Sequence, residues 1–157
     1  MSEAAGEQRR FELAAFAPYR IAVLGRQISE RLGAAYEGEG VTIPEWRVLA
    51  VIAQAPSVAA RDVVAKTPMD KMAVSRSVAS LEEKGLIARA PTIDKRVSAL
   101  RLTRKGRAVF DRIAGIALEF EASLLSHLHP DERRIFFDGL QRLERAVRAE
   151  EAPRAAK

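Results

Sequence analysis

The chain has 157 residues, 48% hydrophobic and 30% charged, the balance of one globular domain around a single core and not that of a disordered chain. It contains no cysteine, which excludes disulfides, thiolate metal sites and thiol redox sensing. The formal charge of +5 is unevenly placed: Asp70 to Arg107 holds ten Lys or Arg against four Asp or Glu, while the rest holds sixteen basic against seventeen acidic residues. Such a stretch is read either as a polyanion-binding surface or as a solvated basic face.

Ile21, Leu24, Ile28 and Leu32 recur at spacings of three and four and predict an amphipathic helix. Pro18 starts or kinks it and Glu37–Gly40 ends it. Its stripe faces either the chain's own core or a second subunit. Thr42 with Glu45 three residues on is a capping box, and Pro44 suits a first turn. The helix so opened carries Trp46, Leu49, Ile52 and Ala53 and stops near Pro56. A short helix from Ser57 or Ala59 to Ala65 follows, broken by Thr67 and Pro68. The next helix spans Met69 to Lys84 and closes on Gly85.

After Gly85 the apolar period falls to two. Leu86–Ala90 and Ala99–Leu102 predict a β-hairpin with the polar loop Pro91–Ser98 at its tip. Thr103 caps a long helix to about Ser126, with Val109, Ile113, Ile116, Ala117, Phe120 and Leu124 as its apolar side. A last helix follows His129 and Pro130, striped by Phe136, Phe137, Leu140 and Leu143. The fold class is mainly α with a small β-hairpin wing.

On a wheel of 100° per residue, Val74, Val78 and Leu81 share one side of the Met69–Lys84 helix, and Met72, Arg76, Ala79 and Glu83 lie opposite. Near its N-terminal half the outward residues are Met69, Met72 and Arg76, flanked by Lys71 and Ser75. Short and basic side chains in that position suit a helix that enters the major groove. The alternative is ordinary surface charge. Lys95 and Arg96 at the hairpin tip suit the minor groove or phosphates. Asp94 would repel phosphates unless paired, so it is read as an organiser of the wing, paired with Arg96 or Arg76.

Val74 to Arg89, then Asp94-Lys95-Arg96, then Leu100 to Gly106 resemble the recognition helix, wing and following helix entry of the MarR (multiple antibiotic resistance regulator) family. By helix order the similarity covers about residues 15 to 148. The resemblance implies a winged helix-turn-helix homodimer: one domain, with a DNA-binding lobe at about 42–103 and dimerisation helices at about 10–37 and 104–149. It implies a palindromic operator on double-stranded DNA, repressed until a small molecule binds. It also implies that Ser75 and Arg76 contact DNA, that Arg96 enters the minor groove and that Asp94 steadies the wing. Ile43–Arg47 and Ala117–Glu121 look more like the branch that regulates aromatic-acid catabolism. An aromatic carboxylate or its coenzyme A thioester would then be the effector, contacting Tyr19, Arg20 and Trp46; otherwise Tyr19 and Trp46 are packing residues and Arg20 is surface.

Other chemistries lack residues. His127 and His129 lie two positions apart and do not share a helical face, so a closed zinc site would need carboxylates for most of its ligands. No phosphate-binding glycine loop or nucleophile elbow occurs, and Glu82 and Glu83 read as solubilising. Neither enzyme activity nor a cofactor is expected. No apolar run approaches the roughly 20 residues of a membrane span, and the start MSEAAGEQRR does not read as a signal peptide, so a cytoplasmic location is expected. The rival reading is a winged-helix scaffold for protein partners whose basic face is incidental.

Overall fold

The computed structural model describes residues 10–90 and 99–151. Its elements run α1 (Ala17–Ala35), α2 (Ile43–Ile52), β1 (Val58–Ala59), α3 (Ala60–Lys66), α4 (Lys71–Glu83), β2 (Ile87–Ala90), β3 (Ala99–Leu102), α5 (Arg104–Leu125) and α6 (Pro130–Glu151). Short 3-10 turns occupy Leu13–Ala15 and Glu37–Glu39. The chain divides into two compact units, one up to Ile116 and one from Ala117, so the break falls within α5.

Helix starts follow local chemistry. Pro18 sits in the first turn of α1. Thr42 caps α2 through a complete capping box, its oxygen accepting from the Glu45 N–H while the Glu45 carboxylate accepts from the Thr42 N–H. Helix α4 begins two residues later than expected because Asp70 is its N-cap, with the carboxylate 2.7 Å from the Ala73 nitrogen. At the other end, the Gly85 and Leu86 N–H groups bond the Glu82 and Leu81 carbonyls, both at 2.9 Å, and Gly85 takes φ +71°. This paired closure needs a left-handed residue, which glycine adopts without a Cβ penalty.

The expected hairpin pairs β2 with β3, and among the described residues a third strand joins it. β1 pairs antiparallel with β3, Val58 opposite Leu100, and the order is β1-β3-β2. Ser57–Ala59 was expected to open a helix; two residues are too few to display a period-two pattern, so Val58 was legible only as one more apolar residue.

One core fills the first unit. Leu49 and Ile52 of α2, Val63 of α3, Leu81 of α4, Leu100 of β3 and Ile113 of α5 are fully buried, and Val74, Val78, Leu86 and Val109 join them. Each large aliphatic side chain so buried stabilises the fold by about 1.5–3 kcal/mol relative to exposure. On α1 only Leu32 of the outlying stripe packs against this core, while Ile21 and Leu24 are exposed. In the second unit α6 presents Ile135, Phe136, Phe137, Leu143 and Val147 to solvent.

Candidate DNA interface

Helices α3 and α4 are joined by Thr67, Pro68, Met69 and Asp70, with the Thr67 hydroxyl bonded back to the Val63 carbonyl at 3.0 Å. Helix α4 then shows two faces. Val74, Ser77, Val78 and Leu81 are buried, and Lys71, Met72, Ser75, Arg76 and Ala79 are exposed. Four of the residues singled out from sequence, Lys71, Met72, Ser75 and Arg76, therefore stand together on the free side of its N-terminal half. Met69 does not join them: it precedes the helix and packs against the core, because the Asp70 cap shifts the first turn. Lys71 and Arg76 make no ion pair among the described residues. Asp94, Lys95 and Arg96 lie outside the described residues.

The basic excess of the central stretch is partly spent on structure. Lys84 reaches the Glu45 carboxylate at 2.7 Å and the Gly40 carbonyl at 2.9 Å. Lys105 donates to the Lys84 carbonyl at 2.8 Å, and Arg107 lies over the Phe110 ring. Arg89 pairs with Glu82 at 2.9 Å, so Glu82, expected to be merely solubilising, ties the end of α4 to β2.

Glu45 carries more than its cap. The residue is 4% exposed, and its carboxylate accepts from Lys84, the Ser80 hydroxyl and the Thr42 N–H. Burial pushes its pKa up, but the hydrogen bonds from Lys84, Ser80 and Thr42 together outweigh this and hold it below the ordinary value. The capping box accounted for Glu45 locally, and nothing in the spacing pointed to partners 35 and 39 residues away. Gly106 was missed in the same way. A Cβ there would stand 1.8 Å from the Leu86 carbonyl oxygen, so only glycine lets the first turn of α5 approach the end of α4.

Of the residues expected to meet an effector, Tyr19 and Arg20 are exposed near the start of α1. Trp46 is instead taken up by packing, stacked on Phe110 at 5.6 Å and tilted against Tyr36 at 5.9 Å. Among the described residues no three His, Asp or Glu side chains converge as metal ligands, and no helix is long and apolar enough to cross a membrane.

The family model for the MarR family matches residues 39–96, from the turn before α2 to the hairpin. The transcriptional regulator BilQ of Clostridium symbiosum is 30% identical over 112 residues, covering 71% of this chain and 78% of the relative. The chain belongs to the MarR family of transcription regulators. Among solved structures, a MarR/EmrR family regulator from Acinetobacter sp. ADP1 is 28% identical with a TM-score of 0.80, covering 88% of this chain and 99% of that one. A MarR-family protein of Mycobacterium tuberculosis, a transcriptional repressor solved in complex with p-aminosalicylic acid, is 25% identical with a TM-score of 0.68, covering 83% and 99%. As a MarR-family member this is a DNA-binding regulator and not an enzyme, and its winged helix-turn-helix is the unit just described. Helix α4 lies within the matched stretch.

Proposed function

We propose that this MarR-family chain is a ligand-responsive repressor that binds an imperfect palindromic operator as a homodimer. The observation that supports it best is the division of α4, with Lys71, Met72, Ser75 and Arg76 exposed over a buried reverse side. In this reading Arg76 takes a guanine edge, Ser75 and Met72 meet neighbouring bases, and Lys71 holds a phosphate. Lys95 and Arg96 of the wing engage the minor groove or phosphates, with Asp94 as organiser. The lobe at about 42–103 reads DNA, and the helices at about 10–37 and 104–149 pair two chains, an arrangement supported by the exposed apolar side chains of α1 and α6. Two recognition helices related by a two-fold then meet major grooves about 10 base pairs apart.

The effector in this reading is an aromatic carboxylate or its coenzyme A thioester. The p-aminosalicylic acid bound by the mycobacterial relative is of that chemistry, and Tyr19 and Arg20 remain exposed to receive it. Ligand binding shifts the spacing of the two lobes, with a coupling of about 1–3 kcal/mol.

The test is binding to genomic fragments, including the gene's own upstream region, across a salt series. Selective binding with a steep log-log salt dependence is expected, since each phosphate neutralised adds nearly one unit to the slope. Arg76→Ala is expected to cost about 1–3 kcal/mol and to blur base preference. Flat, weak binding to every fragment would reject the operator reading in favour of a protein-binding winged helix.

A further inference from the structure

Met72 is a large apolar side chain, 66% exposed, in the first turn of α4. Its neighbour Met69 packs against the core, and Met72 does not. A hydrophobic side chain held in water at that place, between Lys71 and the exposed Ser75 and Arg76, is covered only when something apolar meets the helix. The floor of a B-DNA major groove presents one kind of apolar group, the 5-methyl of thymine. We propose that Met72 is a specificity-determining residue that packs on a thymine methyl in each half-site, while Arg76 reads a guanine nearby. The inference rests on the DNA-reading role proposed above for α4.

The helix sets the distance between the two contacts. Four residues at 1.5 Å each place Met72 about 6 Å before Arg76 along the axis, or about two base-pair steps. One turn of α4 thus reads a thymine and a guanine separated by about that much. The carboxylate of Asp70 beside them is occupied by the Ala73 N–H, which keeps the nearest acidic group on the helix backbone. Lys71 supplies the charge that favours a duplex over an apolar peptide as the occupant.

The experiment begins with selection of the operator from randomised duplexes by the full chain. Each thymine is then replaced by deoxyuridine, which removes only the 5-methyl, and each guanine by 7-deazaguanine, which removes only the N7 acceptor. Wild type is expected to lose about fourfold in affinity per methyl removed at one position of each half-site. Met72→Ala is expected to bind the thymine and uracil operators alike, while Arg76→Ala still tells them apart and no longer responds to 7-deazaguanine. Wild type indifferent to uracil at every position would overturn the inference while leaving the operator reading intact. So would Met72→Ala that still discriminates. Failure to select any sequence would overturn both.

Discussion

Glu45 sets a carboxylate between α2 and α4 where three donors converge, and the consequence is a pH dependence with a definite sign. Its pKa in the folded chain lies below the ordinary 4.5, so the stability it contributes is fully present above that value and is lost as pH falls through the folded value. Thermal melts of wild type and Glu45→Gln between about pH 3 and 7 are expected to differ most at neutral pH and to converge in acid. Curves that stay parallel would mean the carboxylate charge adds nothing. Glu45→Ala is expected to cost about 1.5–3 kcal/mol, the range for hydrogen bonds to charged groups, because Lys84 and Ser80 lose their acceptor together. Because the Glu45 oxygens accept from Ser80 of α4, the helix proposed to read DNA, and from its C-cap Lys84, the same variant is also expected to weaken operator binding more than its stability loss alone would.

Helix α4 is held at both ends by contacts that the helix alone does not supply. Asp70 fixes where it starts, which decides that Met69 is core and Met72 is free. At its C-terminal end the Gly85 closure, the Lys84 ammonium and the Thr103 hydroxyl, 2.7 Å from the Gly85 carbonyl and 2.9 Å from the Gly106 nitrogen, join α2, α4, the wing and α5 at one corner. Gly106→Ala forces its new methyl onto the Leu86 carbonyl, where backbone must move. It is expected to destabilise the lobe by several kcal/mol, on the order of the larger overpacking penalties, and to lower operator affinity in whatever fraction folds. Gly115→Ala, with open space around its Cβ, serves as the control and should be close to neutral. A Gly106→Ala protein with wild-type melting would refute the close approach.

At the scale of the molecule, apolar side chains among the described residues are left uncovered near the N-terminal helix and on α6. Phe11, Phe16, Tyr19, Ile21 and Leu24 near the N-terminus and Ile135, Phe136, Phe137, Leu143 and Val147 in α6 are 44–70% exposed. Scattered exposed hydrophobics are ordinary, but stripes on helices of 19 and 22 residues are the pattern expected of the proposed pairing surface. Sedimentation is expected to show a dimer whose melting temperature rises with protein concentration. The double variant Phe136→Glu, Leu143→Glu should sediment as a monomer, keep its helical content, and lose binding to paired half-sites more than to a single one. A monomeric wild type that still binds an operator tightly would reject the paired arrangement.

Much of this was written locally. Caps at Thr42, the glycine closure at Gly85 and the apolar period of α4 and α5 are all properties of residues within a turn or two of one another, and sequence displays such properties directly, as it does the continuous run from Val74 to Gly106. The exposed face of α4 proposed to read DNA was legible for the same reason, except where a two-residue shift in helix start moved Met69 inward. What required the tertiary structure was every long-range partnership: β1 added to β3, Trp46 spent on Phe110, Lys84 and Ser80 on Glu45, Arg89 on Glu82, and Gly106 against Leu86. Spacing along the chain carries no information about which distant group will fill a buried oxygen or a missing Cβ. Only the packing of α2, α4 and α5 around one core brought those groups within hydrogen-bond and van der Waals reach.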